Sequence, residues 1–124
     1  MAKKLLLFIF CICVYCGQSQ AQDKLHHLVL FKLKAGVEKK DSRYLEAVKS
    51  LNSLAVAIPQ VLDIRAGENF STRPVAVDYG LMVVLENESN LQAYLNHPAH
   101  LAAVRAWKEI ADWTIADFWS PVSK

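Results

Sequence analysis

Past residue 16 the chain has no cysteine, because Cys11, Cys13 and Cys16 all lie at its front end. The remainder therefore holds no disulfide, offers no thiolate to a metal and has no cysteine nucleophile. A Lys/Arg cluster is also missing, which argues against nucleic acid, since phosphate neutralisation needs a positive stripe. Neither HxH nor HExxH spacing occurs, so a zinc centre would have to be assembled from His27, His97 and His100 without a recognisable motif. No axial-ligand motif for haem is evident, and no cofactor or metal is expected. The one long apolar run, "LLLFIFCICVY", is roughly a dozen residues, short of the ~20 a membrane-spanning helix requires.

That run defines the first segment. Met1 to Ala21 combines Lys3 and Lys4, the apolar stretch and "GQSQA", where Ser19 and Ala21 provide small residues at the two positions a signal peptidase reads. Residues 1–21 are expected to be a cleaved secretory signal, leaving residues 22–124 as one domain in the periplasm or outside the cell, with no stable membrane span. Lipid anchoring through Cys16 is the lesser alternative, because Tyr15 occupies a position where that signal requires a small residue. Losing Lys3 and Lys4 lowers the 14 basic residues to 12, equal to the 12 acidic ones. The apparent basicity thus belongs to the leader. A domain of this size without disulfides must hold together by packing alone.

Hydrophobic periodicity orders the rest. From His27 the segment "HLVLFKLK" alternates, with His27, Val29, Phe31 and Leu33 on one side, and this period of two predicts a strand. Asp41 or Ser42 can cap a helix whose apolar positions fall at Tyr44, Leu45, Val48, Leu51, Ala55 and Ile58, ended by Pro59. "VLDIRAGEN" predicts a second strand, with Leu62, Ile64 and Ala66 on one side, and residues 67–78 a loop. Residues 79–86, "YGLMVVLE", form the most apolar strand, where Gly80 marks a close backbone approach. A second helix starts at Asn87 or Ser89 and carries Leu91, Tyr94 and Leu95. It must break at His97, because a residue before proline is driven out of the helical region, whereas Pro98 suits the first position of a new helix. The new segment aligns His100, Val104, Trp107 and Ala111, and "WTIADFW" (113–119) closes as a strand.

The order β-α-β-β-α-β predicts an α+β fold, a ferredoxin-like sandwich with both helices on one face of a four-stranded antiparallel sheet. Val29, Phe31, Leu33, Trp113, Ile115, Trp119 and the strand from Tyr79 supply apolar side chains for both sheet faces. The uncovered face calls for a second copy of the chain, so a homodimer is expected.

The stretches "HHLVLFKLK", "IPQVLDIRAGEN", "DYGLMVVLENESNLQAYLNHPAH" and "IADF" resemble the stress-responsive A/B barrel domain family over residues 26–119, with "HPAH" after "AY" the most specific element. The resemblance implies a ferredoxin-like unit that pairs into a dimeric α/β barrel. A cyclase-like member of that family implies His100 as general base, Tyr94 as the group orienting base or substrate, and His27 as a further catalytic histidine. Tyr79 stands where that member has another histidine, and most of the family is not exported.

An imidazole with a pKa near ~6.5 is a credible base. Tyr94 and His100, six residues apart, would lie about 600° apart on one straight helix and face opposite ways, so only the break at Pro98 can pair them. Plain packing is the alternative for His100 and His27. His97 reads as the cap before Pro98, and His26 as solvated. Tyr44, Phe70, Trp107, Trp113 and Trp119 can line a cavity or fill the core; Tyr79, Phe31 and Trp107 are the candidate ligand contacts.

A base is thus present without a complementary acid, oxyanion donor or cofactor motif. The resulting expectation is an exported homodimer that binds an apolar small molecule in a barrel cavity without catalysis. The alternative is a cofactor-independent lyase or cyclase acting on a carbonyl or polyketide-like substrate through His100. A cofactor-independent monooxygenase is more distant. The leader is tested by N-terminal sequencing of the protein from the exporting cell: Gln22 is expected as the first residue, and a chain retaining Met1 would contradict cleavage.

Overall fold

The computed structural model describes residues 22–122, and the segment read as a leader lies outside them. Along the chain run β1 (Lys24–Leu33), α1 (Ser42–Asn52), α2 (Leu54–Ala57), β2 (Asp63–Glu68), β3 (Tyr79–Leu85), α3 (Glu88–Asn96), α4 (Pro98–Ile110) and β4 (Ala111–Ser120). The four strands form one antiparallel sheet in the order β2-β3-β1-β4. This is the ferredoxin-like arrangement, in which β3 inserts between the two ends of the first β-α-β unit. The most apolar strands, β1 and β3, are accordingly central, where both faces can be covered.

Burial alternates along β1, with Leu25, His27, Val29 and Phe31 beneath the helices. Tyr79, Leu81, Val83 and Leu85 of β3 share that side. Above them pack Tyr44, Ala47, Leu51, Leu54, Ile58, Leu91, Tyr94, Ala103, Trp107 and Ile110. Trp107 is the keystone of this layer. Its indole N–H donates to the Ala47 carbonyl at 3.0 Å, tying α4 to α1, and its ring stacks on Phe31 with centroids 4.1 Å apart. The indole's one polar atom is thereby satisfied, so its large apolar surface can be buried without a desolvation penalty.

The first helical stretch buries a stripe turned by one position from the expected one. Asp41 caps α1 by accepting from the Arg43 N–H, and the helix stops at Ser53 and restarts as α2. Tyr44, Ala47, Leu51, Leu54 and Ile58 recur at spacings of three and four across that interruption, so Ala47 and Leu54 are buried whereas Leu45 and Ala55 are exposed. Leu62 falls before β2 and is exposed, as is Ala66, because β2 is an edge strand. In α4 the helix ends at Ile110, so Ala111, the last member of the expected stripe, is already the first residue of β4.

The second sheet face also needs correction. Strand register puts Val29, Phe31, Leu33, Trp113, Ile115 and Trp119 all on the helix side, since directly opposed residues share a face. The opposite face carries Leu28, Leu30, Met82, Val84, Ala116 and Phe118 instead. Apolar side chains therefore do occupy both faces, through a different set of residues. His26 lies on this second face, stacked on Phe118 at 5.3 Å rather than simply solvated.

A cavity ending in two imidazoles and a tyrosine

Pro98 organises the functional end of the molecule. In an unbroken helix its N–H would bond to the Tyr94 carbonyl and that of Ala99 to the Leu95 carbonyl. Proline has no N–H, and His97 leaves the helical region at φ −68° and ψ 137°. Tyr94 O is satisfied instead by the His97 N–H at 3.1 Å. The Ala99 N–H donates to His97 Nδ1 at 3.1 Å, so His97 is the cap of α4. Leu95 O is left over, and the His100 ring reaches back across the bend to fill it, Nδ1–H donating at 2.9 Å.

That hydrogen bond has a chemical consequence. A carbonyl only accepts, so the proton of the neutral imidazole sits on Nδ1 and the lone pair on Nε2. The ring also lies against Tyr94, with centroids 4.6 Å apart, a contact that the rotation of one straight helix would forbid. Burial drives the His100 pKa below the usual histidine value; nearby His27 adds to the effect, and the Leu95 carbonyl opposes it.

Tyr94 is fully buried, and its hydroxyl has no hydrogen-bond partner among the described residues. An unmade bond of this kind costs about 1–3 kcal/mol, which singles out the position. Burial also raises its pKa, so the phenol stays protonated and acts as a donor. The third polar group is His27, whose ring approaches Tyr94 edge-on at 5.7 Å. Its Nδ1–H donates to Asp117 Oδ1 at 2.6 Å, because the register sets Asp117 of β4 directly opposite His27.

These three side chains end a cavity of about 150 Å³ between sheet and helices. Phe31, Trp107 and Trp113 form much of its remaining wall, with Val29, Leu51, Leu81, Leu95, Ala103, Val104 and Ile115. His27, Tyr94, His100, Phe31 and Trp107 thus meet around one space. Tyr79 does not border it: the ring is buried against Phe31, Tyr44 and Trp107, behind the wall. The Tyr44 hydroxyl donates to Glu68 at 2.8 Å, away from the lining residues, and Phe70 is almost wholly exposed in its loop. Trp119 borders a separate surface groove with Leu91 and Phe118. Asp117 and the Leu95 carbonyl were not found from sequence. An Asp in a strand carries no signal until the pairing register is known.

An antiparallel ferredoxin-like domain with an apolar cavity closed by an imidazole–phenol pair defines a class of small α+β barrel proteins. Residues 25–120 match the stress responsive A/B barrel domain, and the chain belongs to that family. An uncharacterised protein of Streptomyces coelicolor is 40% identical over 97 residues, covering 76% of this chain and 97% of its own. A dimeric ferredoxin-like protein of unknown function from Thermobifida fusca is similar in structure, with TM-score 0.69 and 22% identity over 78% of this chain and 91% of that one. The hydroxynitrile lyase of Passiflora edulis shares the fold at TM-score 0.66 and 10% identity, over 83% of this chain and 96% of its own.

The lowered pKa of His100 links to stability with a definite sign. The unfolded histidine takes up a proton near ~6.5 and the folded one only at lower pH, so its contribution is complete above ~6.5 and is lost as pH falls through the folded value. Imidazole NMR should give His100 a titration midpoint below ~6.5, and His100→Gln should lessen the fall in melting temperature across that window. A midpoint at or above ~6.5 would contradict the burial argument.

Proposed function

We propose that the chain, exported and freed of its leader, forms a homodimer through the second sheet face and binds a small apolar molecule in its cavity. There it carries out a cofactor-independent proton transfer of the lyase or cyclase type. The observation that carries this reading is the buried, unpartnered Tyr94 hydroxyl beside the free Nε2 of His100. His100 Nε2 removes a proton from the bound molecule, and the Tyr94 O–H donates to the oxygen on which negative charge develops. His27, held through Nδ1 by Asp117, is the second imidazole that exchanges a proton with the product. A donor beside the base within one apolar space is what the sequence alone did not provide. That the same fold carries a lyase in Passiflora edulis is in keeping with this chemistry.

A non-catalytic binding module is the second reading, favoured by a wall that is apolar apart from its three-residue end. One experiment separates the two. The protein is incubated with aryl and alkyl ketones in D2O, and deuterium entering next to the carbonyl is followed by NMR. His100→Gln, whose side-chain amide keeps a donor for the Leu95 carbonyl, should slow exchange by about 10²–10⁴-fold, with melting temperature nearly unchanged. Exchange that survives this substitution removes His100 as base, and a stability loss of ~2 kcal/mol or more makes the residue structural.

The dimer rests on the apolar face of Leu28, Leu30, Met82, Val84, Ala116 and Phe118. Sedimentation at micromolar concentration should give twice the mass of the mature chain, and Leu28→Glu should shift it to monomer. A wild-type monomer would end this assignment.

A further inference from the structure

Resting on the proton-transfer reading above, we infer that the cavity takes a neutral molecule of about one ring, with a hydroxyl next to a carbonyl as its polar end, and rejects carboxylates. Two of the groups at the cavity's polar end carry this pairing. The Tyr94 hydroxyl is a buried donor without a protein partner, so the ligand must supply an acceptor there. His100 has its Nδ1 proton committed to the Leu95 carbonyl, so Nε2 is an acceptor and the ligand must supply a donor. The two rings pack together with centroids 4.6 Å apart, close enough for one small ligand carrying an acceptor and a donor near each other to meet both. A hydroxyketone satisfies both groups. A simple ketone leaves the imidazole unanswered, and a simple hydrocarbon leaves both.

Charge excludes the corresponding acids. None of the described residues lining the cavity is Lys or Arg. Behind the wall Asp117 lies 2.6 Å from His27 and is of the wrong sign for a carboxylate. An anion entering here would lose its hydration with no fixed cation to replace it. Size limits the body of the molecule. A cavity of about 150 Å³ is of the volume known to hold a benzene ring, and Phe31, Trp107 and Trp113 offer aromatic faces to it.

The test uses four probes that share a phenyl ring and differ at the polar end: 2-hydroxy-1-phenylethanone, acetophenone, ethylbenzene and mandelate. Binding to the full mature protein is read at pH 8 by titration calorimetry and by quenching of tryptophan fluorescence, since Trp107 and Trp113 line the cavity. The hydroxyketone should bind roughly tenfold more tightly than acetophenone, and mandelate should not bind. Tyr94→Phe should reduce hydroxyketone affinity roughly tenfold while leaving that of ethylbenzene unchanged. Equal affinities for the three neutral probes, binding of mandelate, failure of all four to bind, or an unchanged hydroxyketone affinity in Tyr94→Phe would each overturn the inference. Because no turnover is measured, the predicted ranking stands even where deuterium exchange fails. In that case the proton-transfer reading alone is lost.

Discussion

One missing N–H governs this molecule. Proline cannot donate a backbone hydrogen bond, so the helix across residues 88–110 must break at Pro98, and the carbonyls on its N-terminal side need new partners. Three substitutes appear together. The His97 N–H takes Tyr94 O, His97 Nδ1 takes the Ala99 N–H, and His100 Nδ1 takes Leu95 O. The repair of a backbone defect thus also fixes the tautomer of a half-buried imidazole and swings it against Tyr94. Structural necessity and candidate chemistry are here the same set of hydrogen bonds.

The sheet supplies the other half of the site. β1 is central and carries His27 on its helix-facing side, in line with Val29 and Phe31. β4 is an edge strand, so Asp117 can lie opposite His27 and still reach solvent, with its side chain 41% exposed against 3% for His27. A carboxylate kept partly hydrated avoids most of the cost of a buried charge while still orienting the ring. Beyond this polar end the wall is aromatic and aliphatic, and the Trp107 hydrogen bond to Ala47 holds that wall in register with the first helix.

The strands and the helix break were legible in the chain because they rest on local rules. Alternation exposes a strand over residues 27–33 whatever its neighbours, and a residue before proline leaves the helix in any protein. Other features were not legible. The break at Ser53 lacks a proline or glycine to announce it, and the choice of Ala47 and Leu54 over Leu45 and Ala55 for the core depends on how the helix is rotated against the sheet. Tyr79 was a candidate ligand contact, at the position where the cyclase-like relative has a histidine, yet its ring is buried against Phe31 and Trp107 behind the cavity wall. The residues of the second sheet face were assigned by apolar character, when the pairing of β1 with β3 and β4 decides them.

By itself, then, the sequence determined the β-α-β-β-α-β order, the absence of cysteine chemistry past residue 16 and the place of His97 as the cap before Pro98. Each follows from composition or from interactions within a few residues. Only the tertiary structure decided that His27 meets Asp117, that the Tyr94 hydroxyl is buried without a partner and that Tyr79 lies behind the cavity wall. These depend on strand register and on packing between elements far apart in the chain. A one-residue slip of β4 would turn Asp117 to the other face without changing a single local preference.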